Sequence, residues 1–197
     1  MTSRTARPLV ITAAFSASLL VGLALLLWAF GGVRVAIAPS AIGGPFQLTD
    51  QNGQTVTEQS LKGRPSLVFF GYTHCPDVCP TTLYELSQML HAMGKDANRV
   101  NIYFISVDPD RDTVPVMKDY VSSFDPHIKA LTGSSKAVAK VMAEYRVYAK
   151  KVPIKGGGYS MDHSALVYLM DRNGQFVAPF NLNQKPAQSA ADLKRYL

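Results

Sequence analysis

Ser66 to Leu83 reads SLVFFGYTHCPDVCPTTL, and this stretch decides the fold class. Ser66 to Phe70 is a continuous apolar run of strand length, the pattern of a strand buried on both faces. Pro80 then opens a helical pattern in which Leu83, Leu86, Leu90 and Met93 share one face, and Gly94 ends it. Between them stand both cysteines of the chain, Cys75 and Cys79. A junction after a buried parallel strand is where α/β folds place their sites.

The flanks extend the alternation. Val100 to Val107 (VNIYFISV) is a second buried strand. After an Asp108–Asp112 turn, Met117, Tyr120, Val121 and Phe124 recur at helical spacing, as do Val138, Val141, Met142 and Tyr145 after Gly133-Ser134. Upstream, Phe46–Leu48 and Gln54–Val56 surround Asn52-Gly53, a hairpin signal. Downstream, Arg146–Val152 reads as a strand and Gly156–Gly158 as a mobile loop. Ser164–Met170 and Gln175–Phe180 flank the turn Asp171-Arg172-Asn173-Gly174, and Pro186 starts a terminal helix. Strand, helix, strand, helix, hairpin, helix is an α/β sandwich with a mixed sheet. The order is that of a thioredoxin-like fold with N-terminal strand additions and a hairpin.

The whole chain has 197 residues, a formal charge of +6, 17% charged residues and two cysteines. That is room for one domain plus an appendage. Two cysteines exclude a disulfide scaffold and a four-cysteine zinc site. Leu9 to Phe30 carries no charge and has about the length a bilayer-crossing helix needs, roughly 20 residues. Arg4 and Arg7 before it, against Arg34 after it, favour a cytoplasmic N-terminus. Ala36-Ile37-Ala38 has the form of a cleavage site, but the apolar run exceeds a signal-peptide core, so a retained anchor is expected. No cysteine follows the run to carry a lipid, and too few residues precede it for a mitochondrial presequence. The expected organisation is a cytoplasmic stub at 1–8, a transmembrane anchor at 9–30, a linker at 31–45 and a periplasmic thioredoxin-like domain at 46–197 of a bacterial inner-membrane protein. The first 39 residues hold three arginines and no acid, so the remainder carries +3, which is no nucleic-acid footprint.

The chemistry centres on Cys75-Pro76-Asp77-Val78-Cys79-Pro80. Free N–H groups and the positive end of a helix stabilise a thiolate and can lower a thiol pKa from about 8.5 into the 3.5–7.5 range. Cys79, at the expected N-cap before Pro80, is placed for this. An inert disulfide here would close only a short loop and restrict the unfolded chain little, so a functional pair is the stronger reading. Two thiolates suit reversible disulfide exchange or a soft metal, and the motif alone does not choose. It has three intervening residues where thioredoxin-type oxidoreductases have two. Of the four histidines, His91 lies off the apolar helix stripe, His127 sits in a turn, and His74 would point away from Cys75 along an extended backbone. His163, just before a strand whose preceding loop comes up beside the cysteines in such a sheet, is the best third ligand. Asp108, Asp110 and Asp112 alternate like a calcium loop but lack its central glycine and terminal glutamate, so turn and cap roles fit better.

Phe69-Phe70-Gly71-Tyr72-Thr73, Cys75-Pro76-Asp77-Val78-Cys79-Pro80-Thr81-Thr82-Leu83, Ser106-Val107-Asp108-Pro109, Arg111-Asp112, Leu131-Thr132-Gly133, Tyr159 and Asp162-His163-Ser164 together resemble the signature of the Sco/SenC copper-chaperone family. The match runs from about Gly44 to the C-terminus. The resemblance implies a thioredoxin fold in which Cys75, Cys79 and His163 bind copper as Cu(I) or Cu(II). It also implies delivery of copper, or of electrons, to the dinuclear copper site of cytochrome c oxidase subunit II. Other periplasmic copper chaperones or thioredoxin-like reductants are possible further partners. Met161 stands where a small aliphatic residue is expected, as loop packing or as an extra soft donor. Two thiolates and an imidazole form a three-coordinate set suited to Cu(I), whereas structural zinc usually takes four ligands. A Cys75–Cys79 disulfide would abolish binding and couple loading to redox state. Asp77 and Asp162 are candidates to orient ligands or meet the partner, with turn or cap roles as the alternative.

The rivals are a thiol–disulfide oxidoreductase using the same pair and a copper or redox sensor. A peroxiredoxin-like peroxidase, suggested by Val78-Cys79-Pro80-Thr81, lacks its hydroxyl: Pro76 stands where that family's threonine belongs. A metallochaperone rather than an enzyme is the leading expectation.

Overall fold

The strand-forming runs assemble edge to edge around Ser66–Gly71, every residue of which is buried, as the unbroken apolar run requires. The structure is a computed structural model that describes residues 18–26, 28 and 42–197. The chain divides into two units, Met1–Ala38 and Pro39–Leu197. The expected anchor at 9–30 lies largely outside the described residues. Residues 18–26 of it are helical, and among the described residues no helix is long and apolar enough to cross a membrane.

In the second unit, strands β1 (Gln47–Asp50), β2 (Thr55–Thr57), β3 (Ser66–Gly71), β4 (Asn101–Ser106), β5 (Ile128–Thr132), β8 (Val167–Met170) and β9 (Phe176–Pro179) form one sheet. Its order is β2-β1-β5-β4-β3-β8-β9. β3, β4 and β5 run parallel, while β8 pairs antiparallel to β3 and β1 antiparallel to β5. The mixed α/β thioredoxin-like architecture expected from the element order is therefore the one observed. Helices α1 (Val78–Met93), α2 (Val114–Val121), α3 (Ser135–Glu144) and α4 (Pro186–Lys194) complete it. α1 buries Leu83, Leu86, Met89, Leu90 and Met93 and packs against α4. Each such side chain contributes about 1.5–3 kcal/mol by leaving water. Both sequence-legible hairpin turns close alike: Asp50 and Asp171 carboxylates each accept two backbone N–H groups of their own turns.

Several boundaries differ from expectation. α1 begins at Val78, two residues before Pro80, and α2 covers Val114–Val121, stopping short of Phe124. The strand read at Arg146–Val152 is Ala149–Pro153 (β6), because Arg146 takes a left-handed φ of 56° just after α3. The segment expected as a loop before the last hairpin is itself a strand, β7 (Tyr159–His163). β6 and β7 pair antiparallel as a separate two-stranded sheet, from Ala149 opposite His163 to Pro153 opposite Tyr159. Gly156–Gly158 is the tip of that hairpin rather than a free loop.

Candidate metal centre

β3 ends at Gly71, and the chain leaves the sheet through Tyr72–Asp77 into α1. Gly71 is small for a reason: a Cβ there would stand 2.6 Å from Cys79 Sγ and 2.8 Å from the Phe104 ring. Cys79 lies inside the first turn of α1, fully buried, with Asp77 rather than Cys79 at the N-cap. Burial pushes the Cys79 thiol far up, and the neighbouring Cys75 adds to the shift. Cys79 is thus not the N-cap residue expected, and its burial acts against the thiolate that a helix N-terminus would favour. The N-terminal amide instead serves Cys75, whose half-buried sulfur accepts the Cys79 N–H at 3.4 Å. Both cysteines are free thiols.

His163 is the last residue of β7. Its Nδ1 donates to the Ser164 carbonyl at 2.9 Å, and that carbonyl can only accept. The tautomer therefore makes Nε2 the acceptor nitrogen, facing the Cys79 thiol at 3.6 Å, so that the thiol donates to it. The ring stands edge-on to Tyr72, with centroids 5.6 Å apart. One ligand atom each from Cys75, Cys79 and His163 lies within 4.8 Å of the others. The donor set, two soft sulfurs and one imidazole with a preset tautomer, fits a soft monovalent metal such as Cu(I).

The other candidates lie apart. His74 is exposed and bonds Thr73, His91 is exposed on α1, and His127 pairs with Asp125 at 2.7 Å. Asp77 is exposed and its side chain caps nothing. Asp162, also exposed, alternates onto the strand face opposite His163, while Met161 shares the His163 face and is buried in the core. The aspartate run acts differently from simple capping: α2 starts at Val114, and its N-cap Thr113 makes no side-chain cap bond. Asp112, fully buried, accepts from Thr73 Oγ1 and Ser106 Oγ, each at 2.6 Å, and so ties the cysteine loop to β4. Gly71, Tyr72 and Ser164 stand in the signature motifs, but their roles at the site were not read from sequence. A glycine closing a buried strand just before a cysteine motif is the one signal that could have given a close approach.

A thioredoxin-like α/β domain with a dithiol–imidazole cluster at the mouth of its central strand defines the class. The SCO1/SenC family model matches residues 35–197, and the chain belongs to that family. The structure of Bradyrhizobium japonicum ScoI with copper bound is 68% identical, with a TM-score of 0.78 over 79% of this chain and 99% of that one. Yeast Sco1 with copper bound is 37% identical, with a TM-score of 0.72 over 79% and 87% of the two chains. A SCO2-like protein of Rickettsia felis is 37% identical over 155 residues, 78% of this chain and 76% of that protein.

Proposed function

We propose that this chain is a membrane-tethered copper chaperone that binds one copper ion through Cys75, Cys79 and His163. In this reading it passes the ion to the dinuclear copper site of cytochrome c oxidase subunit II. The observation that carries the reading is the convergence of two sulfurs and an imidazole nitrogen within 4.8 Å. Copper in the structures of similar ScoI and Sco1 proteins supports it. So does membership of the SCO1/SenC family, the resemblance that implies cytochrome c oxidase as the acceptor.

The residues divide the work by depth. Cys79 is the innermost donor, and its thiol must shed a proton as the ion arrives. His163 offers Nε2 without rearranging a tautomer once the Cys79 S–H that faces it is lost. Cys75, half-buried, is the donor an acceptor's ligand can approach, so exchange begins there and ends at Cys79. Asp77 and Asp162, both exposed beside the site in sequence, are placed to meet the partner. The 9–30 anchor would hold 46–197 at the periplasmic face of the inner membrane.

The test is an anaerobic Cu(I) titration of the reduced full-length chain in detergent against a competing chelator. It is run beside Cys75→Ser, Cys79→Ser and His163→Ala. One tightly held ion, weakened by each substitution, is expected. A double-cysteine variant that competes as well as wild type would overturn the copper site. The second reading, a thiol–disulfide oxidoreductase, is favoured by the accessibility of Cys75 and the nearness of the two sulfurs. Cys75 thiolate would attack a partner disulfide, and Cys79 would then displace the partner thiol, leaving the Cys75–Cys79 disulfide. Rapid exchange by a chain that holds no copper would select it.

A further inference from the structure

The β6–β7 hairpin that carries His163 shares no backbone ladder with the seven-stranded sheet, so side chains set its position over the cysteines. Most of the polar ones come from the Asp108–Asp112 loop, and they meet at Arg111. Its guanidinium carbon lies 3.8 Å from the centroid of the Tyr159 ring, and its Nη1 donates to the Tyr159 carbonyl at 2.9 Å. Its Nε pairs with the Asp108 carboxylate, which also accepts the Tyr159 hydroxyl at 2.8 Å. The same guanidinium lies 5.7 Å from the Tyr72 ring. Tyr72 in turn bonds Ser160 through its hydroxyl at 3.0 Å and stands edge-on to His163. Lys151 adds an outer clip to Asp110 at 2.6 Å.

We infer that Arg111 is a positioning residue for the metal site: it fixes the Tyr159 end of the hairpin and, through Tyr72, holds His163 over Cys79. The Asp108 side chain is fully buried, and its charge is tolerable there because Arg111 answers it. Arg111 also leaves its buried Nη2 without a hydrogen-bond partner. The guanidinium is held by its stack on Tyr159 and its pair with Asp108 rather than by a full set of hydrogen bonds. Lysine could replace the charge but not the planar fork and the stack.

The inference rests on the three-ligand reading above, and its test separates the two. Arg111→Lys, which keeps a cation for Asp108, is compared with His163→Ala and with the double variant in the full-length chain. Cu(I) affinity is measured by chelator competition, and hydrogen exchange of 149–163 is measured on the metal-free protein. Arg111→Lys is expected to weaken Cu(I) binding about tenfold, as loss of a ligand-orienting contact does. It should also speed exchange across 159–163 while leaving the unfolding midpoint near wild type. In the His163→Ala background it should cost no further affinity, because it acts through that histidine. Wild-type affinity in Arg111→Lys, or an undiminished loss when His163 is already absent, overturns the inference. If His163→Ala itself binds like wild type, the three-ligand reading falls and the inference falls with it.

Discussion

β3 and the β6–β7 hairpin each deliver part of one site, yet they are built oppositely. β3 is buried at all six positions and paired on both edges, with Phe69 stacked on Phe104 at 5.9 Å. β6 is exposed at four of its five positions, and the hairpin touches the core through Met161, Tyr159 and Ala149, with Ser160 bonded to Tyr72. Two donors thus leave a rigid strand end, and the third rides on an arm held by side chains. Elements with few buried contacts open locally at low cost, whereas a central strand opens only with the whole fold. If the proposed copper site holds and releases its ion, that asymmetry serves it: the cysteines would stay preorganised while the histidine could be withdrawn.

The comparison can be broken most severely from the core side. Phe69→Ala should cost about 4 kcal/mol of global stability, read as a lowered urea midpoint. A loss no larger than an ordinary surface substitution would mean that the central strand is not the rigid half. Gly71→Ala comes next, because the new methyl meets Cys79 Sγ and the Phe104 ring. Overpacking there should cost about 2 kcal/mol and weaken metal binding at the same time. Unchanged affinity would show that Cys79 does not need its present depth.

On the arm, Met161→Ala removes the buried anchor of β7 and should cost about 2 kcal/mol of local stability. That corresponds to roughly 30-fold faster amide exchange within 149–163, with the global midpoint little moved. An equal fall in the global midpoint would erase the distinction between arm and core. Asp112, where the cysteine loop meets β4, should show a pH signature. Burial raises its carboxyl pKa above the unfolded value near 3.9, so the folded chain holds that proton more tightly than the unfolded one. The associated stability is present below the unfolded pKa and is lost as pH rises through the folded value. Asp112→Asn should therefore gain on wild type as pH rises from below the unfolded carboxyl pKa, in melts across an acid-to-neutral series. A constant difference would show that Asp112 does not titrate there. The smallest effect belongs to Lys151→Ala, an exposed partner of Asp110, which should leave the melting temperature unchanged within error. A clear drop would mean the outer clip, not Arg111 and Tyr159, secures the arm.

The core was legible because its signals are local and redundant. SLVFFG and NIYFIS are apolar at nearly every position, and Asn52-Gly53 and Asn173-Gly174 dictate their turns through backbone freedom and side-chain acceptors. The arm was half legible. Arg146–Val152 was read as a strand and only its ends moved, whereas Tyr159–His163 was missed: Tyr159, Met161 and His163 do alternate with Ser160 and Asp162, but five half-polar residues beside three glycines read equally as a loop. The start of α1 was misplaced by two residues because Pro80 suits any position in a first turn, not only its first.

From residue types and spacing alone came the chemistry on offer: two thiols at a strand-to-helix junction, one histidine worth pairing with them, and the fold that could bring them together. Tertiary structure decided the rest, because depth and orientation depend on neighbours distant in sequence. It buried Cys79 against Gly71, and that burial pushes its thiol up where the helix end alone argued for a fall. It gave the helix amide to Cys75, set the His163 tautomer with the Ser164 carbonyl, and brought Arg111 against Tyr159 across 48 residues of chain. Periodicity records which face is apolar, but the partner each polar atom finds is settled only when the faces close on one another.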